Sequence, residues 1–393
     1  MPKLAPLPLK SSEWTELRQA GAVLVDKTAG IYKLVSDYTP DFPRYIARTH
    51  GMGKTMLCSQ LEELFAHGTG AFAGTAIHDL WTESTSPVVR LELGSPKRLP
   101  KAQYQSWFKE RLTEAFVRAS LIDCNFVIPE DLDELYDALA EAADQREIVV
   151  IIDDWDAQIL HHLNDGKASS FLEHFWTIFW DWLQCELNSK YIFVTGTMSG
   201  ASAQELLYDL NLTSYDSDLA DLLGITPLEL ETCYAPYLSE AATRLGVSER
   251  SVIDQIESYY LGYNFDTDEQ SKLYTPLDLN HFFAPLTKRG KTAPVLSPYC
   301  FDTRNHYGLK RMLKGCTKEY HQVLRHIGKD FPDQEYAIHT LASFTQLELP
   351  AYLYETGYFT LKSTDEGEMP YCVRCPNSAV REGLTNLLRH LDD

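Results

Sequence analysis

The chain has 393 residues, with 35 basic and 56 acidic side chains and a net charge of −21. That length predicts two or three domains with sizeable cores, and no run approaches the roughly 18 apolar residues of a membrane span. Met1-Pro2-Lys3-Leu4 leads into no signal-peptide core, so the expected location is the cytoplasm; the dispersed acidic charge repels phosphate backbones and disfavours direct nucleic-acid binding.

The eight cysteines lie mostly among apolar neighbours and read as reduced, buried thiols. Cys372-Val373-Arg374-Cys375 has no second pair at zinc spacing, so it reads as two cysteines on one short strand. The short basic stretch Lys288-Arg289-Gly290-Lys291 reads as a solvated loop.

In chain order, a Pro-rich tip precedes a short helix over 12–20 that Gly21 stops. Val25-Asp26-Lys27-Thr28 then leads into a helix through Ile31 and Leu34. Residues 45–47 predict the first core strand, which runs through Arg48-Thr49-His50-Gly51-Met52-Gly53-Lys54-Thr55 straight into a helix. A strand handing over to a helix in this way aims unpaired backbone N–H groups, and the positive end of the helix dipole, at one spot. A triphosphate fits there. Gly51, Gly53 and Met56 belong to this predicted cradle. Gly53 allows close backbone approach, Lys54 would reach the β- and γ-phosphates, and the Thr55 hydroxyl would hold Mg2+. The general pattern asks for glycine where this chain has Arg48. The following helix carries Leu57, Leu61, Leu64 and Phe65 as one apolar stripe and ends at Gly68.

Residues 87–93 predict a second strand, and 102–119 and 129–143 long helices. The β-branched run 147–152, ending in Asp153-Asp154, then reads as a strand buried on both faces of a parallel sheet. Carboxylates at such a strand end sit where open α/β sheets bind ligands. Asp153 would hold the metal through water, and Asp154 would polarise the attacking water. A bland alternative has the two aspartates merely ending the strand and capping a turn. The aromatic run 171–182 reads as core, and 191–196 as a fourth buried strand whose Thr195 would sense the γ-phosphate. Strands alternating with helices over about 40–215 predict a three-layer α/β unit. After about 215 the pattern turns helical, with caps at Thr226-Pro227 and Ser248, short strands near 358–361 and 371–375, and a last helix from Ser378. This half reads as a helical, winged-helix-like lid.

These residues resemble the bacterial and fungal proteins with an AAA-ATPase-like domain, often joined to a C-terminal PD-(D/E)XK nuclease. The resemblance spans about 5–390. The family's Val-Asp-Lys-Thr is similar to Val25-Asp26-Lys27-Thr28. Its phosphate loop Arg-Pro-Arg-Arg-Phe-Gly-Lys-Ser aligns with residues 48–55, so the family also departs from glycine at the Arg48 position. Its Asp-Glu-Tyr-Asp resembles Asp153-Asp154-Trp155-Asp156, and its Thr-Gly strand end resembles Thr195-Gly196. Later turns resemble Tyr260-Leu261-Gly262-Tyr263, Tyr274-Thr275-Pro276, Gly357-Tyr358 and Pro376-Asn377. The resemblance implies a P-loop ATPase core over 1–215, with ATP and Mg2+ as cofactors and a lid over 216–393.

Three departures stand out. His50 and Gly51 replace two family arginines, Asp154 replaces a glutamate and shortens the reach to water, and the chain stops where the nuclease would begin. Pro332-Asp333-Gln334-Glu335-Tyr336 lacks the lysine of a metal-dependent nuclease and reads as a loop and helix start. Two functions stay open: slow Mg2+-dependent ATP hydrolysis that moves the lid, with Lys54, Asp154 and Thr195 in catalytic roles, or a nucleotide-held scaffold acting on a separate protein. No arginine finger is placed: Arg304 and Arg311 are candidates for it by their position in the lid alone and stand outside the catalytic set, and self-association is left open.

Overall fold

The computed structural model describes residues 4–36, 38, 42–94, 97–144, 146–163, 165–212, 216–266, 271–288, 292–304, 306–315, 336–338, 348–362 and 371–389. Its centre is a parallel sheet of β1 (Arg44–Ala47), β2 (Val88–Glu92), β3 (Ile148–Asp153), β4 (Ser189–Gly196) and β5 (Asn211–Leu212). Among the described residues the strand order is β2-β3-β4-β1-β5. All six positions of β3 are buried, as a β-branched run covered on both faces requires. Register sets Ala47 beside Gly196, Ile152 beside Val194 and Glu92 beside Asp153, so the carboxyl ends of four strands finish at one edge.

The helices of this half are α1 (Trp14–Gln19), α2 (Thr28–Ser36), α3 (Lys54–His67), α4 (Lys101–Arg118), α5 (Leu132–Ala143), α6 (Ala157–His162), α7 (Gly166–Glu186) and α8 (Gly200–Gln204). The expected stripe of α3 is buried at Leu57, Leu61, Leu64 and Phe65, and the helix stops where the Gly68 N–H returns to the Leu64 carbonyl. Asp131 caps α5 by accepting from the N–H groups of Asp133 and Glu134. The aromatic run in α7 is core: Phe175 and Phe179 meet Phe108 edge-on, and Trp182 stacks on Tyr136.

The rest comprises α9 (Pro227–Cys233), α10 (Ala235–Leu245), α11 (Glu249–Tyr260), α12 (Pro276–Phe283), α13 (Tyr299–Asp302), α14 (Tyr307–Gly315), α15 (Leu349–Glu355) and α16 (Ser378–Arg389). It also holds a small antiparallel sheet of β6 (Tyr336–Ile338), β8 (Tyr371–Arg374) and β7 (Thr360–Lys362), in that order. Thr226 and Glu229 form a reciprocal capping box on α9, and Thr275 caps α12. Tyr336 opens a strand that pairs with β8, not the helix its sequence suggested, because its partner lies more than thirty residues away and leaves no local trace; residues 332–335 of that stretch lie outside the described residues.

Packing crosses residue 215 in both directions. Phe301, Leu309, Leu349, Leu353 and Leu384 share one core with the parallel sheet, whereas Leu7 is buried among the side chains of α9 to α12. Among the described residues no helix is long and apolar enough to cross a membrane.

Candidate functional site

Where β1 ends, the chain makes a loop that only glycine permits at two points. Gly53, the N-cap of α3, has φ +102°, and Gly51 has φ +84°. A Cβ on Gly51 would also lie 2.9 Å from Cys300 Sγ and 3.0 Å from Leu277 Cβ, so the second half of the chain rests directly on this loop. Lys54, buried in the first turn of α3, donates to the Arg48 carbonyl at 3.0 Å and pairs with Asp154 Oδ1 at 3.2 Å. Burial pulls its pKa down, but the carboxylates of Asp154, Asp156 and Asp153 outweigh burial and hold it above the ordinary lysine value.

Asp153 ends β3 and is almost fully buried. Burial and the neighbouring Asp154 push its pKa up to about 7, against the pull of Lys54 and a hydrogen bond from Thr55. Its Oδ1 is buried with no hydrogen-bond partner. Asp154 has φ +54°, a left-handed turn that aspartate tolerates. That turn breaks the strand's alternation, so two consecutive carboxylates reach one site instead of opposite faces. Gly94 leaves room for it, since a Cβ there would sit 3.1 Å from Asp154 Oδ2.

The donor set fits a small divalent cation. Asp153 and Thr55 offer hard oxygen ligands in contact with each other, and one carboxylate oxygen lacks a partner.

A cavity of about 400 Å3 opens above this cluster. Gly51, Gly53, Lys54, Thr55, Met56 and Asp154 line it, with Val23, Val25, Leu222, Leu223 and Leu277 supplying apolar surface. Of the early motif, Val25 and Lys27 line the cavity, whereas Asp26 and Thr28 brace it. Asp26 accepts from the Thr28 N–H at 2.9 Å, and the Thr28 hydroxyl accepts from the Ile77 N–H at 3.1 Å. Lys27 pairs with Glu229 at 2.6 Å and so ties the core to the start of α9.

Thr195 stands apart from this cluster. Its fully buried hydroxyl donates to the Ile46 carbonyl at 3.0 Å across the β1–β4 pair, and it lines neither this cavity nor the one beside it. Two residues on, the backbone after β4 is held by carboxylates. Asp156 Oδ2 accepts from the N–H groups of Thr197 and Met198 at 2.7 and 2.6 Å, and Glu355 accepts from the Ser199 N–H at 2.7 Å. Burial raises Asp156 to about 6 and Glu355 to about 7.

Arg48 explains the missing glycine. Its guanidinium is 1 % exposed, donates to the carbonyls of Ala47, Leu219 and Ala220, and stacks 4.2 Å from the Phe265 ring. Arg48→Ala is expected to cost about 2–4 kcal/mol of stability, through lost hydrogen bonds and stacking. The same variant should leave nucleotide affinity within about threefold. Urea unfolding and calorimetry on one preparation check both, and a tenfold loss of affinity at unchanged stability would refute this role.

Asp156, Arg304 and His50 also belong to the site, although residue patterns alone assigned them no part in it. Asp156 had a signal in the third carboxylate of Asp153-Asp154-Trp155-Asp156. Arg304 had none, because its approach to Thr49 Oγ1, at 2.6 Å, spans 255 residues. His50 is held neutral, its pKa lowered to about 4 by burial and by the charges of Arg304 and Lys54.

Residues 8–203 match the AAA-ATPase-like family, described as a predicted AAA-ATPase. The chain is also 24 % identical over 404 residues to an uncharacterized protein in the vnfD 5′ region of Azotobacter chroococcum mcd 1, an alignment covering 98 % of this chain and 71 % of that protein.

Proposed function

We propose, from the premise that residues 8–203 belong to the AAA-ATPase-like family, that this chain binds ATP with Mg2+ and hydrolyses it slowly, coupling the change to its second half as a winged-helix-like lid. The family suggests nucleotide binding. The observation that carries the fuller reading is that Lys54, Thr55 and Asp154 line one cavity, with Asp153 buried behind Thr55 and one of its oxygens unpartnered.

ATP would supply the phosphoryl group and Mg2+ the charge neutralisation. Lys54 and the N–H groups at the start of α3 bind and orient the phosphates; Asp153 and Thr55 hold the metal. Asp154 orients water, a role that requires Lys54 to leave it for the phosphates, since the two are paired in the structure. The apolar walls shield the base.

That same pair favours a second reading, a nucleotide-held scaffold that acts on a separate protein. A carboxylate bound to the lysine is poorly placed to polarise water.

Calorimetry with Mg2+-ATP, with phosphate release followed in the same samples, separates the readings. Binding with turnover supports the enzyme, binding without turnover the scaffold, and absence of binding overturns both. Asp154→Glu is expected to keep or raise turnover, the longer side chain reaching water from beside Lys54; a fall of tenfold or more in phosphate release at unchanged affinity would remove Asp154 from the water-positioning role.

A further inference from the structure

A second cavity, of about 550 Å3, meets the first at His50, Lys54 and Asp154 and shares no other lining residue with it. Its volume is in the range of small-molecule sites, whereas one water takes up roughly 30 Å3 and a phosphate group only a few times that. Ala157, Leu160 and Tyr352 give its lining apolar surface, Arg304 and Lys54 bring cations, and Asp154 and Asp156 bring carboxylates that already have partners within the chain.

The surroundings of Arg304 are unusual for a guanidinium. It donates to the Gly357 carbonyl at 2.7 Å, to Thr49 Oγ1 at 2.6 Å and to the Tyr263 hydroxyl at 3.1 Å, and it lies 4.9 Å from the Tyr358 ring. Each of these partners is neutral. Among the described residues no carboxylate makes an ion pair with it. Asp278, which acts on Arg304 only from a distance, is taken up by the Thr275 hydroxyl and by the Cys300 N–H at 2.7 Å. Asp154 is paired with Lys54, and Asp156 holds the backbone of Thr197 and Met198. A partly buried guanidinium fixed by neutral partners keeps its charge with no carboxylate in contact, and so favours an anion from outside the chain.

We propose that this cavity is a second small-molecule site, taking a ligand with one anionic head, phosphate or carboxylate, for Arg304 and a compact apolar body for the wall of Ala157, Leu160 and Tyr352. Such a ligand abuts Lys54 and Asp154, so its presence bears directly on the phosphate end of the first cavity. The anion has two possible sources, a separate molecule or the terminal phosphate of a nucleotide in the first cavity. The apolar wall and the unused volume favour the separate molecule. The inference stands independently of nucleotide hydrolysis, because binding is read without nucleotide.

The test is calorimetric titration of the full chain with phenylphosphonate, a stable anion with a small aromatic body, against inorganic phosphate and the neutral benzyl alcohol. The titrations are repeated in the presence of ADP and of a non-hydrolysable ATP analogue. Phenylphosphonate is expected to bind saturably, at least about tenfold tighter than inorganic phosphate, with benzyl alcohol silent and ADP without effect. Displacement by the ATP analogue alone would place its terminal phosphate at the same guanidinium and also support the site. Arg304→Gln and Ala157→Phe should each weaken phenylphosphonate by at least about tenfold. Ala157→Phe, which fills the cavity and leaves the contacts of Arg304 alone, decides the matter if Arg304→Gln does not fold. No saturable binding, competition by ADP, phenylphosphonate no tighter than inorganic phosphate, or wild-type affinity in Ala157→Phe would each overturn the proposal.

Discussion

Replacing Lys54 by alanine is expected to weaken Mg2+-ATP binding by about a hundredfold or more, the loss of two charge-assisted hydrogen bonds to phosphate. The same substitution acts on the ligand-free protein. Lys54 is a cation that offsets Asp153, Asp154 and Asp156, and without it their mutual repulsion is opposed at Asp153 only by the more distant Arg90. Asp153 already titrates near 7 with the lysine present, so the variant should lose more stability at pH 8 than at pH 6. Calorimetry and thermal unfolding at the two pH values read both effects. Unchanged affinity would refute the phosphate role of Lys54, and a stability loss independent of pH would refute the charge argument.

Asp153→Asn should move stability and ligand binding in opposite directions. In the wild type the carboxyl titrates near 7 when folded and near 4 when unfolded. A group raised in this way contributes stability that is fully present below the unfolded value and is lost as pH rises through the folded one. The ligand-free wild type should therefore weaken between about pH 4 and 7. Asparagine removes the titration, so at pH 8 the variant is expected to be more stable by an amount on the order of a few kcal/mol. Its nucleotide binding should no longer respond to metal: adding EDTA is expected to weaken the wild type by at least about tenfold and to leave the variant unchanged. Denaturant melts at pH 5 and 8, with titrations with and without EDTA, test the pair. A variant that is less stable and still metal-responsive would exclude Asp153 as the ligand.

Periodicity and strand-end chemistry made the cradle legible. Gly53-Lys54-Thr55 after a buried strand, the stripe of α3 and the β-branched run of β3 each carry their signal within a dozen residues, and the structure has all three elements. What local pattern left out is non-local. β5 is two residues long and exists through its pairing with β1. The insertion of β4 between β1 and β3 is a property of the sheet that no single strand announces. The left-handed turn at Asp154 was hidden because aspartate occupies several conformations equally well in a sequence. Arg48 read as a defect in a glycine pattern; its reason lies with Leu219, Ala220 and Phe265, some 170 to 220 residues on.

The burial of Leu7 among α9 to α12 sets a timetable for synthesis. Residues 4–9 are tied into the helical half, with the Tyr237 hydroxyl donating to the Ala5 carbonyl, and the Val23 N–H donates to the carbonyl of Pro6. A ribosome needs roughly ten to forty seconds to make the two hundred or so residues that separate Leu7 from those helices. Throughout that interval the first cavity lacks the wall at Leu222 and Leu223, Arg48 lacks its carbonyls, and the apolar face of residues 4–9 waits in water. The nascent sheet half should therefore lean on chaperones until α12 has left the tunnel, and a translational pause placed before residue 230 should lower the yield of folded protein more than one placed after residue 290.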